Sequence, residues 1–179
     1  MTHCTAKPYT AAAVIWADLL INIVRARYDD PTHAAALLEL MDEYARDPAG
    51  GGEALSDFAR EHLIAELATR PFIFSVLAFN GDKPVGLVNG IEGFSTFACR
   101  PLVNVHDVVV AARHRGRGIA AQMFAEVEAI ARERGACKLT LEVLDGNAPA
   151  RALYQRLGFA AYQLDPALGH ARFLQKWLS

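Results

Sequence analysis

The segment Val108-Val-Val-Ala-Ala-Arg-His-Arg-Gly-Arg-Gly-Ile-Ala-Ala121 joins an apolar run to a basic, glycine-bearing loop and then to a helical pattern. A joint of this kind binds anions. The first N–H groups of a helix lack intrahelical partners, the helix dipole is positive there, and glycine lets a phosphate approach the main chain. Arg113, Arg115 and Arg117 add guanidinium groups suited to phosphate oxygens. The same residues could form an ordinary solvated basic loop, but the strand-loop-helix context favours a phosphate site.

Gly116-x-Gly118-x-x-Ala121 also has the form of a dinucleotide-binding fingerprint. Three features count against that assignment. Ala111-Ala-Arg-His-Arg115 separates the glycines from the strand, where a dinucleotide turn leaves its strand almost at once. Only about sixty residues follow, too few for the rest of a doubly wound sheet. The loop is also rich in arginine.

Arg113-x-x-Gly116-x-Gly118 resembles the Q/R-x-x-G-x-G/A signature of the GNAT N-acetyltransferase superfamily. Farther on, Asn147-x-x-Ala150-x-x-Leu153-Tyr154-x-x-Leu157-Gly158-Phe159 resembles the second signature of that family, N-x-x-A-x-x-L-Y-x-x-x-G-F. The two occur in the family's order and spacing. The resemblance covers residues 70 to 178, and the helical stretch at 34 to 69 fits the family's variable acceptor-binding region. It implies a single-domain α/β fold with a mixed, mostly antiparallel central sheet flanked by helices.

The resemblance also implies roles. Backbone amides of Arg115, Gly116, Arg117, Gly118, Ile119 and Ala120 would cradle the pyrophosphate of acetyl-CoA, with Arg113 beside them. The main chain of Val108, Val109 and Val110 would pair with the pantetheine arm like an added strand. Asn147 would bond the cofactor, and Tyr154 would place its hydroxyl near the thioester sulfur as general acid. The chemistry is coherent: aminolysis of a thioester needs a neutral amine, a polarised carbonyl and a proton for the leaving thiolate. Cys99 and Cys137 have no evident activating base, so direct attack in a ternary complex is expected over a cysteinyl intermediate.

The family often carries the base on the strand before the loop. Strict alternation puts Asn104, His106, Val108 and Val110 on one face, which makes His106 the candidate base and turns Asp107 the other way, toward a structural role. A buried structural histidine is the competing assignment for His106. Glu92, placed in an irregular connection, is a candidate for contacting the acceptor amine. No histidine pair has metal-ligand spacing, so no metal is expected. A non-catalytic acyl-CoA-binding or sensing module is the alternative function; the presence of both Asn147 and Tyr154 favours turnover.

The elements that position these residues follow from periodicity. Residues 23 to 28 read as a first strand, with 1 to 22 as an N-terminal extension outside the domain at 23 to 179. Helices are predicted at 34 to 46 and 53 to 69, separated by Asp47-Pro-Ala-Gly-Gly-Gly52, a flexible loop or a substrate-side lid. Strands at 72 to 79 and 84 to 91 flank the turn Asn80-Gly81-Asp82. A strand at 103 to 110, a helix at 118 to 134, a strand at 137 to 144 and a helix at 147 to 157 follow. Two closing strands are expected at 159 to 164 and 171 to 178.

Composition sets outer limits. The 179 residues are 53% hydrophobic and 21% charged, which fits one globular domain and excludes general disorder. A net charge of -2 gives no reason to expect nucleic acid or an anionic membrane as partner. The apolar stretch from Ala11 to Val24 is short for a bilayer span and is broken by Asp18. Three cysteines, odd in number and without C-x-x-C, argue against a disulfide framework and for a reducing cytoplasm. The expected partner is a small-molecule or protein amine acceptor, and a homodimer stays open.

Overall fold

The computed structural model describes residues 21–162 together with 165, 167, 169 and 172–178. The sheet grows outward from a hairpin. Strands β2 (Ile73–Asn80) and β3 (Lys83–Ser95) meet across the tight turn at Gly81. β1 (Ile21–Arg25) adds antiparallel to β2, and β4 (Arg100–Val110) adds antiparallel to β3. β5 (Leu139–Leu141) closes the order β1-β2-β3-β4-β5 and runs parallel to β4. A parallel pair needs a long crossover, and helix α3 (Ile119–Glu133) supplies it.

Helices cover both faces. α1 (Pro31–Arg46) starts where the Asp30 carboxylate accepts the N–H groups of Thr32 and His33 at 2.8 and 3.3 Å, with Pro31 at its first position. It buries Ala36, Leu37 and Leu40 against Leu77, Phe79, Leu87 and Val109. α3 packs Ile119, Met123, Phe124 and Val127 on the other face, against Val76, Val88, Val103 and Val105. Both faces of the central strands are covered, so β2 is buried from Phe74 to Phe79 instead of alternating. α2 (Asp57–Ala68) lies beside α1, and α4 (Ala148–Arg156) brings Tyr154 into the α3 layer.

Several expectations are corrected. Strand β1 begins at Ile21 and ends at Arg25, so it lies earlier than expected. The second helix starts at Asp57, where Ser56 caps it, and not at 53. β3 and β4 are longer than the sequence suggests, so Glu92 sits inside β3 and not in an irregular connection. The expected strand at 137 to 144 shrinks to Leu139–Leu141, because only these residues keep register with Val103–Val105. The closing strands are absent at 159 to 162 and 172 to 178, which are irregular. Their remaining positions, and residues 1 to 20, lie outside the described residues.

The ring of Phe74 lies across Gly90 of β3, and a Cβ there would stand 2.8 and 2.9 Å from its ring carbons. Gly90→Ala should therefore overpack the core by about 1–3 kcal/mol. Thermal unfolding should show a lowered Tm, and an unchanged Tm would mean that the ring moves aside freely.

Candidate active site

β4 ends at Val110 and the chain makes a 3-10 turn at Ala112–His114 before entering α3. Gly116 and Gly118 adopt φ of +76° and +77°, the left-handed region where glycine carries no penalty. A Cβ on either would meet nothing within 4 Å, so the space above this backbone is open. The N–H groups of residues 116 to 121 have no partner among the described residues, and they sit at the positive end of a 15-residue helix. Arg113 and Arg117 are exposed and bond no protein group among those residues.

Arg115 differs from the expectation. Its amide already donates to Ala112 O at 3.4 Å, so the free cradle starts at Gly116. Its side chain donates from Nε to Val110 O at 3.0 Å and from Nη2 to Asp47 Oδ2 at 2.9 Å. The hydrogen bonds from Ala49 and Arg115 hold the Asp47 carboxyl below the usual carboxylate range. The glycine break after α1 is also ordered: Gly50, Gly51 and Gly52 all donate to Asp47 O at 2.7–3.2 Å. Glu43 Oε1 accepts from Ala112 N at 3.1 Å. The end of α1 thus clamps the start of the loop.

One edge of β4 is unpaired where the chemistry would fall. Ala111 N donates to Val85 O at 2.9 Å, and bonds alternate in an antiparallel ladder. Val109 therefore directs its main chain to β3, whereas Val108 and Val110 direct theirs outward. β5 stops pairing at Val105, so it does not cover them. The outcome is a split between β4 and β5 in which the Val108 main chain and the Val110 N–H face outward without a strand partner, while the Val110 carbonyl accepts from Arg115.

Asn147 caps α4, its Oδ1 accepting from Ala150 N at 3.3 Å, and its Nδ2 bonds nothing among the described residues. Pro149 at the helix start agrees with that cap. Two turns on, Tyr154 is buried and packs edge-on against Phe124 and Phe159 at 5.7 and 5.8 Å between ring centres. Burial, with the charge of Tyr44 second, pushes its hydroxyl up to about 12. It is held as a proton donor. Tyr44 comes from α1 and packs in the layer on the other face of the sheet.

At the inner end of the split, β4 bulges. Asn89 pairs with Asp107 and Gly90 with Val105, so His106 is the extra, unpaired residue. This overturns the strict alternation expected for β4. Val108 and Val110 pack in the α3 layer with Val103 and Val105, whereas His106 is exposed and does not share their face. Asp107 lies with Val109 on the α1 face. Its Oδ2 accepts from Asn89 Nδ2 at 2.9 Å, and its charge helps to push the Tyr44 hydroxyl up, after burial. Glu92 is not brought to this place. It pairs with Arg134 at 3.0 Å, opposite Val103 and well down the sheet.

Cys99 lies at the start of β4, about 30 Å of strand from the loop. Among the described residues no group of three His, Cys, Asp or Glu side chains is placed to hold a metal. Nor, among them, is any helix long and apolar enough to cross a membrane. Sequence reasoning did not single out Tyr44 or Asn89, and it gave Asp107 a structural role. A signal existed for Asn89 and Ser75: each is a polar side chain in the middle of an otherwise apolar strand.

A sheet opened at one edge, beside a glycine loop that heads a helix, is an arrangement for holding an extended phosphorylated ligand. The model of the acetyltransferase (GNAT) family matches residues 34–159, and the chain belongs to that family. It is 42% identical over 83 residues to streptothricin acetyltransferase of Streptomyces lavendulae, a match that spans 46% of this chain and only 44% of that protein. It is 25% identical over 129 residues to thialysine N-epsilon-acetyltransferase of Caenorhabditis elegans, covering 72% of this chain and 78% of the relative. The structure of the acetyltransferase AAC(6′)-Iy with a CoA-containing bisubstrate analogue superposes with a TM-score of 0.70 at 18% identity, over 88% of this chain and 99% of that one. At that identity the likeness establishes the fold.

Gly118→Val should force a left-handed residue to carry a branched side chain and fill the open space over the loop, at about 1–2 kcal/mol of backbone cost. Calorimetry should show acetyl-CoA binding weakened at least tenfold in a folded variant. Unchanged affinity would remove the loop as the phosphate site.

Proposed function

We propose that this protein is an acetyl-CoA-dependent N-acetyltransferase that passes the acetyl group directly to a primary amine in a ternary complex. The observation that carries the proposal is the meeting of three features at one split: six free amides, an unpaired strand edge and a protonated buried tyrosine. The amides of residues 116 to 121 receive the pyrophosphate, with Arg113 and Arg117 pairing its oxygens. Val108 and Val110 bond the pantetheine amides as a neighbouring strand would. The Nδ2 of Asn147 adds a donor where β5 and α4 diverge.

This bound geometry lays the thioester beside Tyr154. The amine attacks the carbonyl carbon, a C–N bond forms, and the C–S bond breaks. Tyr154 then donates its proton to the leaving thiolate and recovers one from the nitrogen. His106 and Asp107, the two titratable side chains at the bulge, are the candidates to take the proton that the incoming ammonium must lose. The names of the relatives point to amines on small molecules, and lysine, glucosamine 6-phosphate and streptothricin are the first acceptors to try. Release of CoA thiol with any of them supports transfer. Binding of acetyl-CoA without transfer to any amine would instead make the chain an acyl-CoA-binding module.

Tyr154→Phe keeps the ring packing and removes the donor. It should bind acetyl-CoA normally and lower kcat by about 10²–10⁴-fold. Because the hydroxyl is pushed up to about 12, the wild-type rate should not fall through loss of this acid below about pH 11. A wild-type rate in Tyr154→Phe would show that the thiolate takes its proton elsewhere.

A further inference from the structure

Ser75 and Asn89 are two of the three buried polar side chains among the described residues, and both lie in the layer that α1 otherwise fills with Leu37, Leu40, Leu77 and Leu87. They are not scattered. Ser75 is opposite Asn89 across β2 and β3, and Asn89 is opposite Asp107 across β3 and β4. One row of the sheet is therefore polar from its centre to the bulge. Ser75 Oγ donates to Asn89 Oδ1 at 2.6 Å, and Asn89 Nδ2 donates to Asp107 Oδ2 at 2.9 Å. The chain begins at Tyr28, whose hydroxyl lies 3.0 Å from Ser75 Oγ.

The direction of this row is determined. A carboxylate only accepts, so Asn89 must present its amide nitrogen to Asp107 and its oxygen to Ser75. Serine has one hydroxyl proton, and Asn89 takes it, so Tyr28 must donate to Ser75. Burial agrees, because it raises the Tyr28 hydroxyl and keeps it protonated. The second proton of the Asn89 amide points at Met41 Sδ at 3.5 Å, so Asn89 has no freedom to turn. Every donor points toward the bulge, and the row ends on one oxygen of Asp107. The other oxygen has no partner among the described residues.

Buried polar groups cost stability even when bonded, and apolar residues would pack this face better. We propose that Tyr28, Ser75 and Asn89 are positioning residues that fix the Asp107 carboxylate at the inner end of the β4–β5 split, where it binds the acceptor's ammonium and takes its proton. The assignment rests on the transferase reading above. The register makes it feasible, since Asp107 lies on the α1 side while Val108 and Val110 keep the open edge, and the bulge takes His106 off their face. Among the titratable groups, Tyr44 on α1 feels the charge of Asp107 and also that of Asp47 at the end of that helix, and His106 adjoins Asp107 on β4. Among the described residues no arginine or lysine bonds Asp107, so it is not consumed in an ion pair. The balance is simple: the ammonium loses one proton to Asp107, the neutral amine attacks, and Asp107 returns the proton to water.

The test compares rate with pH for the fastest of lysine, glucosamine 6-phosphate and streptothricin, and for hydroxylamine, which is already neutral at pH 7. In wild type, kcat/KM for the amine should carry an acidic limb that Asp107→Asn removes, with a loss of about 10²–10⁴-fold. The loss should be far smaller with hydroxylamine, and acetyl-CoA affinity should hold. Ser75→Ala loosens the donor on the carboxylate, so kcat/KM for the amine should fall while acetyl-CoA affinity holds. Ser75→Thr keeps the hydroxyl and should restore kcat/KM. Asp107→Asn with the limb and rate intact overturns the assignment, as does loss of the limb in His106→Gln alone. An unchanged kcat/KM for the amine in a folded Ser75→Ala overturns the positioning role. Wild type that binds acetyl-CoA yet acetylates none of these amines overturns the transferase reading itself, and the assignment with it.

Discussion

The structure depends on how β4 satisfies its main chain. A buried backbone group without a partner is costly, so a strand inside a sheet is normally bonded on both sides. β4 is bonded to β3 along nearly its whole length, but β5 covers only Val103–Val105. From the bulge onward its outer groups need water or a ligand. That unmet requirement creates a binding edge, and the glycine loop and α3 lie directly beyond its end.

The surroundings hold this edge open. α1 ends against the loop through Glu43 and Asp47, and Arg115 joins Asp47 to the Val110 carbonyl. These exposed bonds contribute little individually, about 0–1 kcal/mol each. Their value is geometric, since they tie the end of α1 to β4 and the glycine loop. The split is thus bordered by α1, α4 and the loop, and none of these is adjacent to another in sequence.

Two opposed demands meet in the α1 layer. Leu37, Leu40, Leu77 and Leu87 secure it by burial, whereas Ser75 and Asn89 interrupt it with groups that must be bonded exactly where the strands pair. Such a row is tolerated because each of its members has a partner in register. It also ties the rigid centre of the sheet to Asp107. A side chain on a loop would be held far less firmly than one fixed by three strands.

Much of this was legible in the chain itself. The basic glycine loop before α3, the Asn147–Phe159 signature, the two early helices and the β2–β3 hairpin all depend on local rules: free amides at a helix start, capping, periodicity and turn chemistry. What the sequence did not reveal is non-local. Nothing in Val103–Val110 marks His106 as an extra residue; that is decided by which residues of β3 lie opposite. One unpaired residue reverses a period of two, so the bulge brings Val103 and Val105 onto the face of Val108 and Val110 and takes His106 off it. In the same way Glu92 read as a free carboxylate until the length of β3 and the reach of Arg134 paired it. Residue types and local spacing determined what chemistry this protein could hold, and strand register, which no local signal encodes, decided which side chains reach it.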